Sequence, residues 1–255
     1  MDKLSPIILA LIATLFTWFI TTLGSAIVYF FKKVNKNILD LMLSLAAGVM
    51  IAASFFSLIA PSIEMAKALG MNKIIMPSIG FICGGLLITI MDKVFSRKIS
   101  NKKKRCMMLI SSITLHNIPE GLAVGVAFGS ILYNLDGATL SSAIGLAIGI
   151  GIQNFPEGCA VSIPLRREGI SRSKAFLYGS LSALVEPISG VIGAILVLKV
   201  RIVLPFLLAF AAGAMIYVVV SELIPECETN KHKNLISMFS LVGFTIMMIL
   251  DVLLA

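Results

Sequence analysis

Eight stretches of mostly apolar residues, each about the length of roughly 20 residues that a helix needs to cross a bilayer, take up nearly the whole of this 255-residue chain. They run Pro6–Phe31, Ile38–Ile59, Ile74–Met91, Met107–Leu132, Thr139–Leu165, Ala175–Leu198, Ile202–Ile224 and Leu235–Ala255. So many apolar runs cannot be buried in one soluble core, and the connections between them leave no room for a separate soluble domain. Long runs such as Ile7–Phe16 do not alternate in polarity as the strands of a membrane β-barrel do. The chain therefore reads as one all-α integral membrane domain over residues 1–255. The first stretch is longer than a secretory h-region and lacks a small-residue cleavage pattern, so it reads as a retained helix.

Only 13% of the residues are charged, yet the formal net charge is +8. The placement of the basic residues explains this balance. Sixteen of the 21 Lys and Arg fall in the first, third, fifth and seventh connections, among them Lys32, Lys33, Lys102, Lys103, Lys104, Arg105, Arg166 and Lys231. By the positive-inside rule those connections are cytoplasmic and both termini lie outside. The charge is thus a topology signal and not a nucleic-acid footprint. The four cysteines, Cys83, Cys106, Cys159 and Cys227, form no C-x-x-C pair and read as isolated thiols.

Two internal repeats organise the spans. Ala46-Ala47-Gly48-Val49-Met50-Ile51 in the second returns as Ala211-Ala212-Gly213-Ala214-Met215-Ile216 in the seventh. At this offset of 165 residues, seven of the fifteen pairs from Ala46 to Ala60 are identical. With the termini outside, the two spans run in opposite directions, so the repeat is inverted, a pattern that locates the binding site in many transporters. Between its halves lies a sharper repeat. The fourth span carries His116-Asn117-Ile118-Pro119-Glu120-Gly121 and the fifth Gln153-Asn154-Phe155-Pro156-Glu157-Gly158. Antiparallel spans bring these motifs together near the bilayer midplane.

A carboxylate at that depth costs about 2.5–3.5 kcal/mol on insertion scales and marks a functional site by default. Glu120, Glu157 and Glu186 lie near the centres of three spans, and no Lys or Arg lies at mid-span to neutralise them. A bound cation can. Residues i and i+4 share a helix face, which aligns His116 with Glu120 and Gln153 with Glu157, flanked by Asn117 and Asn154. Pro119 and Pro156 lack an N–H and free the carbonyls of Leu115 and Ile152. One imidazole, three side-chain amides and three carboxylates suit Zn²⁺, and also Fe²⁺, Mn²⁺, Co²⁺ or Cd²⁺, rather than Cu⁺. Seven such groups are enough for two ions. Met50 is a further, softer candidate at mid-span. The glycines recurring every four residues, Gly121, Gly125 and Gly129, read as a close helix-packing face.

These residues resemble the ZIP (Zrt/Irt-like) family of metal-ion transporters, and Gln153 in the place of a histidine resembles its prokaryotic members. The resemblance covers essentially the whole chain. It implies spans one to three and six to eight related by an inverted repeat around spans four and five. It implies a binuclear site at His116, Asn117, Glu120, Gln153, Asn154, Glu157 and Glu186, with Met50 a possible ligand. It also implies import of divalent metal into the cytoplasm by alternating access, in the cell membrane, often as a homodimer. Ser57, Glu64 and Asp251 then fall where an entrance is expected, and Glu222 with Asp92 where an exit is expected. A transporter of divalent transition metal, Zn²⁺ foremost, is the expected function. An intramembrane zinc hydrolase is the alternative, but it usually requires more than one imidazole and an open metal position, and the spans hold one histidine and no H-E-x-x-H.

Overall fold

The computed structural model describes residues 4–30, 36–98, 101–133, 135, 138–227 and 232–254. Lys32, Lys33 and Lys231, counted among the topology residues, lie outside them. The described residues are almost entirely helical, and none is in a strand. Helix α1 is Pro6–Ala26, opened by Ser5, whose hydroxyl accepts the Ile8 N–H, with Pro6 in the first turn. Helix α2 (Lys36–Ala53) passes through a π-helical segment, Ser54–Ile59, into α3 (Ala60–Ala68). Next come α4 (Ile75–Lys98), α5 (Asn101–Leu132) and α6 (Leu140–Arg167), the last opened by a reciprocal cap between Thr139 and Ser142. Gly169, at φ 82°, closes α6 in the left-handed conformation that glycine adopts without a Cβ penalty.

Helices α7 (Arg172–Ser182) and α8 (Val185–Ile195) divide what the sequence presents as one span, Ala175–Leu198. The break falls at Ala183-Leu184, because Pro187 lacks the N–H that would bond the Ala183 carbonyl and its ring crowds that carbonyl. Helix α9 (Val197–Val218) follows almost without interruption. Lys199 and Arg201, expected in an external connection, therefore sit in its first turns, where long basic side chains can reach a polar interface. A second π-helical segment, Val219–Leu223, leads into α10 (Ile224–Cys227), and α11 (Lys233–Leu254) ends the fold.

Six of the helical units are long and apolar enough to cross a membrane: Pro6–Tyr29, Asp40–Ala68, Ile75–Val94, Arg172–Ile195, Val197–Leu223 and Lys233–Leu253. Helices α5 and α6 are longer than most of these but carry the polar motifs in mid-helix, so their composition falls short.

Packing follows the inverted repeat closely. Helix α2 lies on α11 and α4 on α9; α1 lies on α6 and α5 on α8. A Cβ at Gly48 would run into the Ser240 and Phe244 backbone, and one at Gly243 into Leu45. The counterparts 165 residues on from Gly48 and Leu45 are Gly213 and Phe210, which meet Phe81 and Gly84 in the same way. Spans three and eight are thereby registered at an offset of 159, with Gly84 matching Gly243 and Asp92 matching Asp251. The π segments obey the same rule, because Ser54 plus 165 is Val219. Gly213→Val, which pushes two backbones apart, is expected to cost about 1–3 kcal/mol as overpacking; a shifted thermal midpoint in detergent measures it, and an unchanged midpoint contradicts this contact.

Candidate metal centre

The closely packed glycine face on α5 builds one wall of the site. Gly121, Gly125 and Gly129 press on Glu186, Gly190 and Ala194 of α8, as their spacing predicts, and this places Glu186 beside the motif of α5. Gly158 does the same for α6 against Thr21 and Ser25 of α1. The two motifs then face each other at the centre of the fold.

His116 Nε2 lies 3.1 Å from Glu120 Oε1 and 3.2 Å from Glu157 Oε1. One ligand atom from each of these three residues lies within 4.8 Å of the others, and all three side chains are buried. Gln153 donates from Nε2 to Glu120 Oε1. On the opposite side of this amide, Ser57 of the first π segment stands 2.6 Å from Gln153 Oε1 and 2.7 Å from Asp251 Oδ1. A cavity of about 210 Å³ reaches Glu120 from the side of Ser57, lined also by Pro61, Met65, Leu146 and Leu204.

A second group of residues adjoins the first. Asn154 Nδ2 lies 3.0 Å from both carboxylate oxygens of Glu186, and Thr17 of α1 donates its hydroxyl to Glu186 Oε2. The same Asn154 amide lies 3.4 Å from the Thr17 carbonyl, while Asn117 Nδ2 donates to the Ser182 carbonyl at 3.1 Å. Thr17 and Ser182 are again 165 residues apart, so the two asparagines are held equivalently by the two repeats. A carbonyl can only accept, and these anchors fix which end of each amide faces the backbone.

What remains unpartnered is chemically uniform. Asn117 Oδ1, Asn154 Oδ1, Glu120 Oε2, Glu157 Oε2 and His116 Nδ1 are all buried without a hydrogen-bond partner. Buried polar groups are normally satisfied, and leaving one without a partner costs about 1–3 kcal/mol. Among the described residues no Lys or Arg pairs with Glu120, Glu157 or Glu186. Four orphaned oxygen acceptors together with clustered carboxylates form a site that lacks only positive charge. Divalent transition-metal ions match it, because they accept imidazole nitrogen, amide oxygen and carboxylate together. Cys159, two residues from Glu157, points away and donates its thiol to Gly24 O at 3.3 Å, so the donor set contains no thiol.

Of the residues singled out from sequence, His116, Glu120, Gln153 and Glu157 come together directly, and Asn154 with Glu186 forms the adjoining group. Asn117 is buried against α7. Met50 is fully buried in the main apolar core, and its carbonyl accepts from Ser54. Ser57 and Asp251 join Gln153 as described. Glu64 is exposed on α3, whereas Glu222, in the second π segment, and Asp92, on α4, are half-buried. Thr17 is the residue that sequence reasoning passed over. Its signal was available, since Thr14, Thr17, Thr21 and Ser25 form a buried hydroxyl stripe at helical spacing along α1.

A family model described as the ZIP zinc transporter matches residues 4–105 and 96–251. The chain is 37% identical to Zinc transporter ZIP11 of Xenopus tropicalis, with 98% of each protein covered. It is 31% identical to Zinc transporter ZupT of Clostridium perfringens, covering 99% of this chain and 98% of that protein. To Zinc transporter GufA of Myxococcus xanthus it is 29% identical, with 94% and 97% covered. The buried, cation-seeking pair of motifs and the match over both halves of the chain lead to one conclusion: this protein belongs to the ZIP zinc transporter family.

Proposed function

We propose that the chain carries divalent transition metal, Zn²⁺ foremost, through a centre midway across the membrane and into the cytoplasm by alternating access. The observation that carries this reading is the set of buried acceptors without donors around His116, Glu120 and Glu157. The relatives' name, zinc transporter, supports zinc over Cd²⁺, Fe²⁺, Mn²⁺ or Co²⁺, which the same donors accept. The centre takes two ions. One is held by His116, Glu120, Glu157 and Gln153, the last turning its carbonyl inward, with Met50 the additional ligand that family resemblance implies. The other is held by Asn117, Asn154 and Glu186 and bridged by the second oxygens of Glu120 and Glu157.

We read α5 and α6 as two further spans, giving eight with both termini outside, in a cell-membrane homodimer. The centre itself supports their crossing, because helices carrying the buried Glu120 and Glu157 carboxylates and their amides are shielded by the six apolar units around them. Ser57 and Asp251, with Glu64 at the surface, form the entrance. The inverted repeat supplies the exit: Ser57 maps onto Glu222, Asp251 onto Asp92, and Gln153 onto His116. The outer contact of Ser57, Asp251 and Gln153 thus has an inner counterpart in Glu222, Asp92 and His116. Uptake of radioactive zinc into proteoliposomes of the purified protein tests the carrier. Uptake above that of empty vesicles is expected, and the carrier reading is abandoned if several metals give none.

A further inference from the structure

We propose that Thr17 is a positioning residue of the metal centre, its hydroxyl fixing the Glu186 carboxylate and its carbonyl the Asn154 amide, and that it thereby sets the affinity for the second ion. The inference deepens the two-ion reading above and rests on it. Thr17 is fully buried on α1, and it contributes two groups to one cluster. Its hydroxyl has one proton and two acceptors in reach, Glu186 Oε2 and the Thr14 carbonyl at 3.0 Å. Ionised, as a metal ligand must be, the carboxylate is the stronger acceptor.

Comparison with its repeat partner isolates this role. Ser182 also offers its carbonyl to an asparagine, but its hydroxyl is used within its own helix, on Gly179 O at 2.8 Å. Only on the Thr17 side does the hydroxyl cross to a candidate ligand. Glu186 is a long side chain with no ion pair among the described residues. Held through Oε2 by α1, it keeps its carboxylate facing Asn154 in place of swinging through its other rotamers. Groups that hydrogen-bond a ligand from behind in this way orient it, and their loss typically weakens metal binding.

Thr17→Val keeps the side-chain volume, removes the hydroxyl and leaves the carbonyl, whereas Thr17→Ser keeps the donor. Zinc bound per chain and stepwise dissociation constants would be measured on the detergent-purified protein by elemental mass spectrometry and calorimetry. Thr17→Val is expected to weaken the second ion by about 10–100-fold and leave the first unchanged, with Thr17→Ser restoring it. In a Glu186→Gln background Thr17→Val should add nothing, because the residue acts through that carboxylate. Wild-type affinity for both ions in Thr17→Val, or an equal further loss in the Glu186→Gln background, overturns the proposal. A wild-type chain that binds one ion overturns it together with the two-ion centre, and one that binds none overturns the metal-centre reading as a whole.

Discussion

Glu120→Ala is expected to abolish zinc uptake while leaving the protein folded. In the proposed two-ion centre Glu120, like Glu157, serves both ions. Its Oε1 meets His116 Nε2 at 3.1 Å and receives the Gln153 amide, and its Oε2 is a buried acceptor without a donor. Removing the carboxylate takes a ligand from each ion and a negative charge from a site whose only compensation is the metal. Loss of an outer-shell partner alone costs about 10–100-fold in affinity, so loss of a shared ligand should lower the initial rate by more than about 100-fold. Stability should move the other way, since in the absence of metal Glu120 is one of several clustered buried carboxylates that repel one another. A Glu120→Ala protein with a raised thermal midpoint and no uptake is the expected pair of measurements; wild-type uptake would remove Glu120 from the site. Ser237→Ala, at an exposed position on α11, serves as the control and should change the rate little.

Acidity should act on the same ligands. Imidazole and carboxylates bind metal only when deprotonated. Protons therefore compete with zinc, and the apparent dissociation constant should rise as pH falls, by about tenfold per unit for each proton displaced. A binding isotherm independent of pH would contradict this ligand set.

The parts of the fold legible in the sequence were those that violate local expectation. Carboxylates and prolines within apolar runs are costly enough that their recurrence at Pro119-Glu120 and Pro156-Glu157 stands out, and the structure unites them. The repeat around Gly48 and Gly213 was legible for the same reason, as both glycines sit where backbones touch. The π segments were not, because a switch from i−4 to i−5 hydrogen bonding leaves no mark on runs as uniformly apolar as those around Ser54–Ile59 and Val219–Leu223. Nor was the division of α7 from α8, where Pro187 competes with an otherwise continuous apolar run. Thr17 was hidden by a general ambiguity. Threonine in a membrane helix usually bonds back to its own backbone, as Thr14 and Thr21 do here, and spacing alone does not reveal which one reaches across.

Ser57→Ala and Glu222→Ala should separate the two sides of the transport cycle. They occupy equivalent positions in the π segments of opposite repeats, and in the conformation observed Ser57 touches a residue of the centre, Gln153 at 2.6 Å. On the alternating-access reading proposed above, exchange of the repeats' conformations would give Glu222 that role toward His116, with Asp92 standing as Asp251 does now, so that Ser57 would serve capture and Glu222 release. Ser57→Ala should raise KM for external zinc with kcat little changed, the pattern of an interaction lost before translocation. Glu222→Ala should do the reverse, lowering kcat while external zinc still saturates at the ordinary concentration. The predicted fall in kcat is about tenfold, since roughly 1.4 kcal/mol in the limiting barrier is enough to produce it and a full carboxylate is withdrawn. Both constants come from initial uptake rates in proteoliposomes over a range of zinc concentrations. If Glu222→Ala instead raised KM at constant kcat, Glu222 would belong with the entrance, and the inner triad drawn from the repeat would be wrong. Because one offset of 165 residues relates Gly48 to Gly213, the two asparagine anchors and both π segments, that outcome would also show that the two repeats share a fold without sharing a path.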